Sequence, residues 1–302
     1  MSGYLELPNS VELYIDKIKK RCDSLIRSQI WNGIDRNKLN RWLSSFKNPE
    51  ERYLAAFILD NLTFRSESQT KAMIFQIILR KIPQLLQEEE YFSKYRDKWP
   101  ETLTKSGTPI RLVPVLRKND GPYKSGQIVS REYITQVGVN KRIIISPDQI
   151  DKSIKDGAKL FIFIDDFLGT GNQFSEFYEE NQKIIEVNNI TTLYVPLAAH
   201  EYGVEKVKSK FPNLRLAASE ILSENNGLFF SDNGMLPDNI NTCDAAKALY
   251  LSISQSLLGT GFSMPLGYED LSLTYGFNHA TPNATLPLLW SDKIENHFLT
   301  RC

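Results

Sequence analysis

The feature that most constrains the fold is an unbroken apolar run at residues 160–164, which is followed at once by Asp165 and Asp166. The run shows no alternation of polar and apolar residues, which is typical of a β-strand covered on both faces by helices in a parallel sheet. Helical spacing of apolar residues resumes at Phe174 and continues to Val187. The sequence therefore predicts a buried strand, a short loop and an amphipathic helix in direct succession.

The loop between this strand and this helix has the composition of an anion-binding site. The start of a helix presents backbone N–H groups without intrahelical partners, and the helix dipole favours negative charge there. Glycines let a phosphate approach the backbone closely, and hydroxyl and amide side chains add donors. We therefore expect a phosphate to bind at Gly169, Thr170, Gly171, Asn172 and Gln173.

Polar residues follow two of the predicted strands at the edge where open α/β sheets bind ligands. Asp165 and Asp166 could accept hydrogen bonds from ribose hydroxyls or hold a divalent cation through water. The alternative is that this pair only caps the next helix. His200 follows the predicted strand 191–199, and it is either a general acid or base or a structural residue.

Strands and helices alternate through the middle of the chain, which favours an α/β fold with a parallel sheet. The pattern predicts an N-terminal helical region at 1–100, an α/β core at 101–260 and a C-terminal cap or hood at 261–302. The predicted strands are 111–116, 142–145, 160–164, 191–199 and 214–218. The predicted helices are 11–26, 39–46, 49–62, 66–87 (interrupted near Pro83), 125–137, 174–187, 202–211 and 244–258.

The segment from Phe161 to Phe174 resembles the phosphoribosyl pyrophosphate signature of type I phosphoribosyltransferases, which is an apolar strand, two acids, two variable residues and a Thr-Gly-rich loop. The resemblance implies that Asp165 and Asp166 contact the ribose, that the loop 169–173 holds the 5′-phosphate and that Mg²⁺ accompanies the ligand. Gly169 stands where the family often has Thr or Ser, and Gln173 where it usually has Thr. Both departures remove hydroxyls and keep the backbone donors.

Type I enzymes also need an earlier loop for the diphosphate. The best candidate follows the strand 111–116 and contains Arg117, Lys118, Lys124, Ser125 and Gly126. Lys124, Ser125 and Gly126 at a helix start would combine a cationic side chain with backbone donors. A solvated, charged surface loop accounts for the same pattern equally well.

The wider layout is similar to phosphoribosyltransferase-like proteins of bacterial conflict loci, including effector partners in some retron-type anti-phage systems. The similarity extends to Trp42 and Phe46 and to the C-terminal runs 265–268 and 281–290. It implies a glycosyltransferase or related enzyme that acts on phosphoribosyl pyrophosphate or a nucleotide. We also expect a homo-oligomer, with a defence-system protein or ribonucleoprotein as a possible further partner on the N-terminal helices.

Two alternatives to this enzyme stay open, a non-catalytic nucleotide sensor and an interaction protein that docks a partner through its N-terminal helices. The run 282–290 is likewise open to two interpretations. It either anchors the tail on the core, or it places Asn283 or His279 over the site as part of a hood.

Charge and cysteine content argue against several other classes. Lys plus Arg and Asp plus Glu number 36 each, so the chain lacks the basic excess of a dedicated nucleic-acid binder. Cys22, Cys243 and Cys302 match no zinc pattern. The apolar stretches fall short of the ~20 residues of a membrane helix, and the N-terminus has no signal-peptide pattern. We expect a cytoplasmic protein without a membrane partner.

Overall fold

The computed structural model describes residues 5–87, 89–95, 98–116, 125–230 and 242–301. The chain forms two compact units, one of Met1–Glu67 with Ser223–Cys302 and one of Ser68–Leu222. These units are not divided at residues 100 and 260, where the sequence places its boundaries. The helices that follow residue 67 belong with the sheet, and the C-terminal segment belongs with the N-terminal helices.

The helices are α1 (Val11–Arg27), α2 (Arg36–Leu43), α3 (Pro49–Asp60), α4 (Glu67–Gln76), α5 (Ile82–Leu85), α6 (Glu90–Ser93), α7 (Trp99–Leu103), α8 (Ser125–Val137), α9 (Ile150–Lys155), α10 (Asn172–Val187), α11 (Glu201–Lys210) and α12 (Cys243–Leu258). The strands are β1 (Thr63–Arg65), β2 (Ile110–Pro114), β3 (Leu160–Leu168), β4 (Thr191–His200), β5 (Arg215–Leu216), β6 (Glu220–Leu222) and β7 (Tyr275–Phe277). None of the described helices combines the length and hydrophobicity needed to cross a membrane.

The discontinuous unit holds its two chain segments together through a shared aromatic core. The Trp42 indole is fully buried, and its Nε1 donates to the Leu288 carbonyl at 2.7 Å. Trp31 packs edge-on against Phe298, with ring centroids 5.7 Å apart. Strands β1 and β7 also pair in parallel. These contacts show that the run 282–290 anchors the C-terminal segment within its own unit, and a hood over the site stays a prediction.

The second unit contains a parallel sheet in the order β2-β3-β4-β5, with β6 pairing along the end of β4. Strand β3 is central, since it pairs with β2 on one side and with β4 on the other. Residues 160–164 of β3 have no solvent exposure, as the unbroken apolar run predicted. The α/β fold with a parallel sheet is therefore confirmed.

One predicted strand is wrong. Residues 142–145 do not pair as a strand, because Lys141–Ile143 form a 3-10 turn and Ile144 makes only an isolated bridge to Leu112. The Asn140 side chain accepts a hydrogen bond from the Arg142 backbone N–H at 2.9 Å. This local bond stabilises a turn in place of an extended conformation, although the apolar residues favour a strand.

Two other predicted elements differ in the structure. Within the predicted strand 214–218, only Arg215–Leu216 form a strand, β5, and the separate strand β6 follows at Glu220–Leu222, beyond the predicted range. The predicted helix 66–87 contains a π-helical segment, Ile77–Lys81, between α4 and α5. Pro83 lies two residues after this segment, and a proline cannot donate a hydrogen bond to the carbonyl four residues earlier. The missing N–H of Pro83 therefore explains why the hydrogen bonding changes from α-helical to π-helical before it.

Candidate functional site

Strand β3 carries the acid pair. The structure extends β3 to Leu168, so Asp165 and Asp166 lie within the strand and not after it. Pairing with β4 continues beyond the acids, with Phe167 beside Ala198. The two carboxyl groups interact, since a hydrogen bond with the Asp166 side chain is one of the causes that raise the pKa of Asp165. Both are buried, with 5% exposure for Asp165 and 7% for Asp166.

Asp165 is held by two protein donors. The Asp166 backbone N–H donates to its Oδ1 at 3.0 Å, and the Tyr194 hydroxyl donates to its Oδ2 at 3.1 Å. The Tyr194 ring is fixed in turn, since it stacks on Phe174 with 3.7 Å between centroids. Burial raises the pKa of Asp165 well above its usual range, and the neighbouring Asp166 charge raises it further. The Asp165 carboxyl therefore ionises less readily in this structure than a solvent-exposed aspartate does.

This raised pKa predicts how stability depends on pH. Folded Asp165 keeps its proton at pH values where the unfolded chain has lost it, so Asp165 makes folding less favourable as pH rises. Asp165→Asn removes this contribution. The difference in unfolding free energy, Asn variant minus wild type, is expected to grow as pH rises from about 4 towards the folded pKa of Asp165. Urea unfolding of both proteins over a pH series measures it, and a difference that does not change with pH would contradict the assignment.

Asp166 is oriented by the chain that follows it. Its Oδ1 accepts a hydrogen bond from the Phe167 backbone N–H at 2.9 Å. A carboxylate oxygen can accept more than one hydrogen bond, so the contact to Phe167 does not by itself prevent a ligand hydroxyl from binding Asp166. Each acid therefore accepts a hydrogen bond from the backbone N–H of the residue that follows it, and Asp165 also accepts one from the Tyr194 hydroxyl.

The predicted phosphate loop has a fixed backbone. Gly171 is the N-cap of α10 and has φ +83°, a conformation that strains any residue with a side chain. The Ser175 N–H donates to the Gly171 carbonyl at 2.9 Å, which is the first bond of the helix. The N–H groups of Gln173 and Phe174 precede that bond and have no acceptor within the helix. Thr170 is buried and Gln173 is exposed.

Helix α11 packs against this loop through Gly203. A Cβ atom added to Gly203 would lie 2.2 Å from the Gly169 carbonyl oxygen and 3.2 Å from the Gly171 nitrogen. Only a glycine permits two backbones to approach so closely. Sequence reasoning missed this residue, although a glycine inside a helical pattern is a signal of close packing.

Lys206 of α11 brings a cation to the same loop. Its Nζ donates to the Asn172 Oδ1 at 2.5 Å and lies 5.9 Å from the centre of the Tyr202 ring. Asn172 is the first residue of α10. Sequence patterns do not connect Lys206 with Asn172, because the contact spans 34 positions of the chain.

The candidate diphosphate segment lies only partly within the described residues. Lys124 lies outside the described residues, as do Arg117 and Lys118. Ser125 begins α8, and Gly126 packs on the end of β2, where an added Cβ would lie 3.2 Å from the Val115 carbonyl oxygen. The Val115 N–H donates to the Ile164 carbonyl at 3.1 Å. The start of α8 therefore lies at the same sheet edge as the acid pair, and its binding of a diphosphate stays a prediction.

His200 ends β4 and begins α11. The side chain is 1% exposed, and its Nδ1 accepts a hydrogen bond from the Tyr202 N–H at 3.3 Å. A ring nitrogen that caps a helix is occupied in the folded protein. This contact favours the structural interpretation of His200 over a role as general acid or base.

The acid pair offers oxygen ligands of the kind that Mg²⁺ prefers. Among the described residues, no group of three or more His, Cys, Asp or Glu side chains is placed to hold a metal ion. Mg²⁺ prefers oxygen ligands, keeps several waters and is usually bound by one or two carboxylates together with substrate phosphates. Asp165 and Asp166 supply carboxylates of that kind.

Comparison with known proteins agrees with this geometry. A family model described as PRTase-CE matches residues 39–298. The matched range contains β3 with its two acids, the loop 169–173 and α11, and it extends across both compact units. No curated protein matches the chain.

Proposed function

This chain belongs to the PRTase-CE family of phosphoribosyltransferase-like proteins, and we propose on that basis that it makes or breaks the bond at the anomeric carbon of a ribose 5-phosphate. The ligand is phosphoribosyl pyrophosphate or a nucleotide. The observation that carries the proposal is an arrangement in the second unit. Two buried acids near the end of β3 are followed by a short loop, and Gly171 in a left-handed conformation ends this loop at the start of α10.

Each part of the site has a role in this proposal. Asp165 and Asp166 accept hydrogen bonds from the ribose hydroxyls, and the loop 169–173 binds the 5′-phosphate. The segment Lys124, Ser125 and Gly126 at the start of α8 binds the diphosphate. Bound Mg²⁺ would neutralise charge on the diphosphate. Positioning and charge stabilisation favour the transition state, which has cationic character on the sugar.

The bond changes are those of a substitution at C1. In the transfer direction, the bond from C1 to the diphosphate oxygen breaks and diphosphate leaves with the electron pair. A nucleophilic acceptor then forms its own bond to C1 and loses a proton. Negative charge from Asp165 and Asp166 beside the ribose would stabilise the positive charge that develops on the ring.

A turnover screen tests this proposal. The full-length protein is incubated with Mg²⁺, phosphoribosyl pyrophosphate and each common nucleobase, and separately with nucleotides and pyrophosphate, and products are separated by chromatography. We expect Mg²⁺-dependent formation of a nucleotide or release of a base. Failure of every combination to react, in protein that binds the ligand, would contradict the enzymatic proposal.

A nucleotide sensor is the second candidate, and two observations favour it. Gly169 and Gln173 provide no hydroxyl groups at the phosphate loop. Asp165 is already engaged by Tyr194 and is buried. A sensor would bind phosphoribosyl pyrophosphate or a nucleotide saturably and form no product, so the same screen distinguishes the two candidates.

We also propose that the protein works in the cytoplasm as an effector of bacterial anti-phage defence, as a homo-oligomer or with a defence partner. The support is the wider similarity of the layout to proteins of conflict loci. An effector of this kind would deplete or modify a nucleotide pool during infection. Among the described residues before position 67, the exposed large apolar side chains are Leu13 and Ile30. Scattered residues of this kind identify no docking face.

A further inference from the structure

Lys206 lies beside the candidate site, and the roles assigned to the acid pair and the loop do not include it. It lies on α11 one turn after Gly203, so both residues face the loop between β3 and α10. Gly203 contacts the loop backbone, and Lys206 contacts the side chain of Asn172 at 2.5 Å. The ammonium group is therefore held beside the first turn of α10.

The neighbours of this ammonium group are neutral. Its contacts are the amide of Asn172 and the ring of Tyr202, and among the described residues no carboxylate forms an ion pair with it. Lys210, one turn further along α11, does form such a pair, with Glu179 at 2.6 Å. A half-buried cation beside a helix N-terminus attracts an anion, since the ammonium charge and the helix dipole act in the same direction.

The loop 169–173 contains no positively charged side chain. Among residues 169–173, Thr170 carries the one hydroxyl, and this residue is only 5% exposed. Backbone N–H groups alone bear no net charge, whereas a phosphate monoester carries nearly two negative charges at neutral pH. A positively charged donor beside the loop would supply the charge that the backbone N–H groups lack.

We propose that Lys206 binds the 5′-phosphate of the ligand and supplies the positive charge of the phosphate site. The inference rests on the proposed function, because it assigns a further residue to the same site. Asn172 positions the ammonium group beside the loop, and the phosphate becomes its counter-ion when the ligand binds.

Calorimetry on the full-length protein tests this assignment with two probes, ribose 5-phosphate and inorganic pyrophosphate. Lys206→Gln can still donate to Asn172, and Lys206→Met keeps the apolar stem of the side chain. Both are expected to weaken binding of ribose 5-phosphate by about ten- to a hundredfold, the effect of losing one charged hydrogen bond. Pyrophosphate binding should not change. Lys208→Gln, an exposed change on the same helix, is the matched control and should bind both probes like the wild type.

The outcomes separate the inference from the proposed function. If the wild type and both Lys206 variants bind ribose 5-phosphate equally, the assignment of Lys206 is wrong and the proposed function stands. If pyrophosphate binding weakens while ribose 5-phosphate binding does not, Lys206 serves the diphosphate and the assignment is again wrong. If the wild type binds neither ribose 5-phosphate nor phosphoribosyl pyrophosphate, both are overturned. Thermal unfolding of each variant checks that any loss of binding occurs in folded protein.

Discussion

The Asp165→Asn, Asp166→Asn double variant is expected to bind phosphoribosyl pyrophosphate at least about 100-fold more weakly than the wild type. Hydrogen bonds to charged groups contribute about 1.5–3 kcal/mol each, and the variant loses two such acceptors for the ribose. Turnover should fall at least as far, because the same carboxylates face the positive charge of the transition state. Titration calorimetry and the chromatographic screen measure the two effects.

The double variant should fold normally, which makes its loss of binding interpretable. Asparagine has nearly the shape of aspartate, and a neutral side chain removes the cost of burying charge at Asp165. Asp156→Asn is the matched control. Asp156 is an exposed acid just before the amino end of β3, at the opposite end of the strand from the acid pair, so this change should leave binding unaltered. Normal binding by the double variant would show that the acids serve only the fold.

The second large effect is expected at Gly203. Replacing glycine by alanine inside a helix normally stabilises a protein by up to about 1 kcal/mol. Here the new methyl group would lie 2.2 Å from the Gly169 carbonyl oxygen, a backbone atom that cannot move without moving the loop. We expect Gly203→Ala to lower the unfolding free energy by about 1–3 kcal/mol, as overpacked substitutions do, and to weaken binding of ribose 5-phosphate. Denaturant unfolding and calorimetry measure the two effects.

A glycine without close neighbours provides the comparison. Gly107 is exposed and has no atom within 4 Å of an added Cβ. Gly107→Ala should change the unfolding free energy by no more than about 0.5 kcal/mol and leave binding unchanged. Equal stability of the Gly203 and Gly107 variants would mean that α11 does not pack on the loop as described.

Local patterns in the sequence were sufficient for the elements that carry the site. The unbroken apolar run predicted β3, and residues 160–164 are indeed buried on both faces. The sequence also predicted a helix from residue 49, and α3 begins at Pro49, where the Asn48 side chain accepts a hydrogen bond from the Glu51 N–H. Signals of this kind depend on a few neighbouring residues, so the chain alone contains them.

Contacts between elements that are distant in the chain could not be predicted from local sequence patterns. Tyr194 reaches Asp165 because β4 pairs with β3 in a particular register, and a single sequence does not fix that register. Lys206 reaches Asn172 because α11 packs beside α10. The association of the N-terminal and C-terminal segments in one unit could not be predicted for the same reason, since the contact between Trp42 and Leu288 spans 246 positions of the chain. Periodicity identifies which face of an element is apolar, but not the element that covers it.

The most direct test of the site is calorimetric titration of the wild-type protein with phosphoribosyl pyrophosphate, in the presence and absence of Mg²⁺, beside the same titration of the Asp165→Asn, Asp166→Asn variant. The account predicts saturable binding by the wild type that Mg²⁺ strengthens, and loss of that binding in the variant. Absence of binding by folded wild-type protein, with and without Mg²⁺, would contradict it and would mean that this chain keeps the fold for a different ligand.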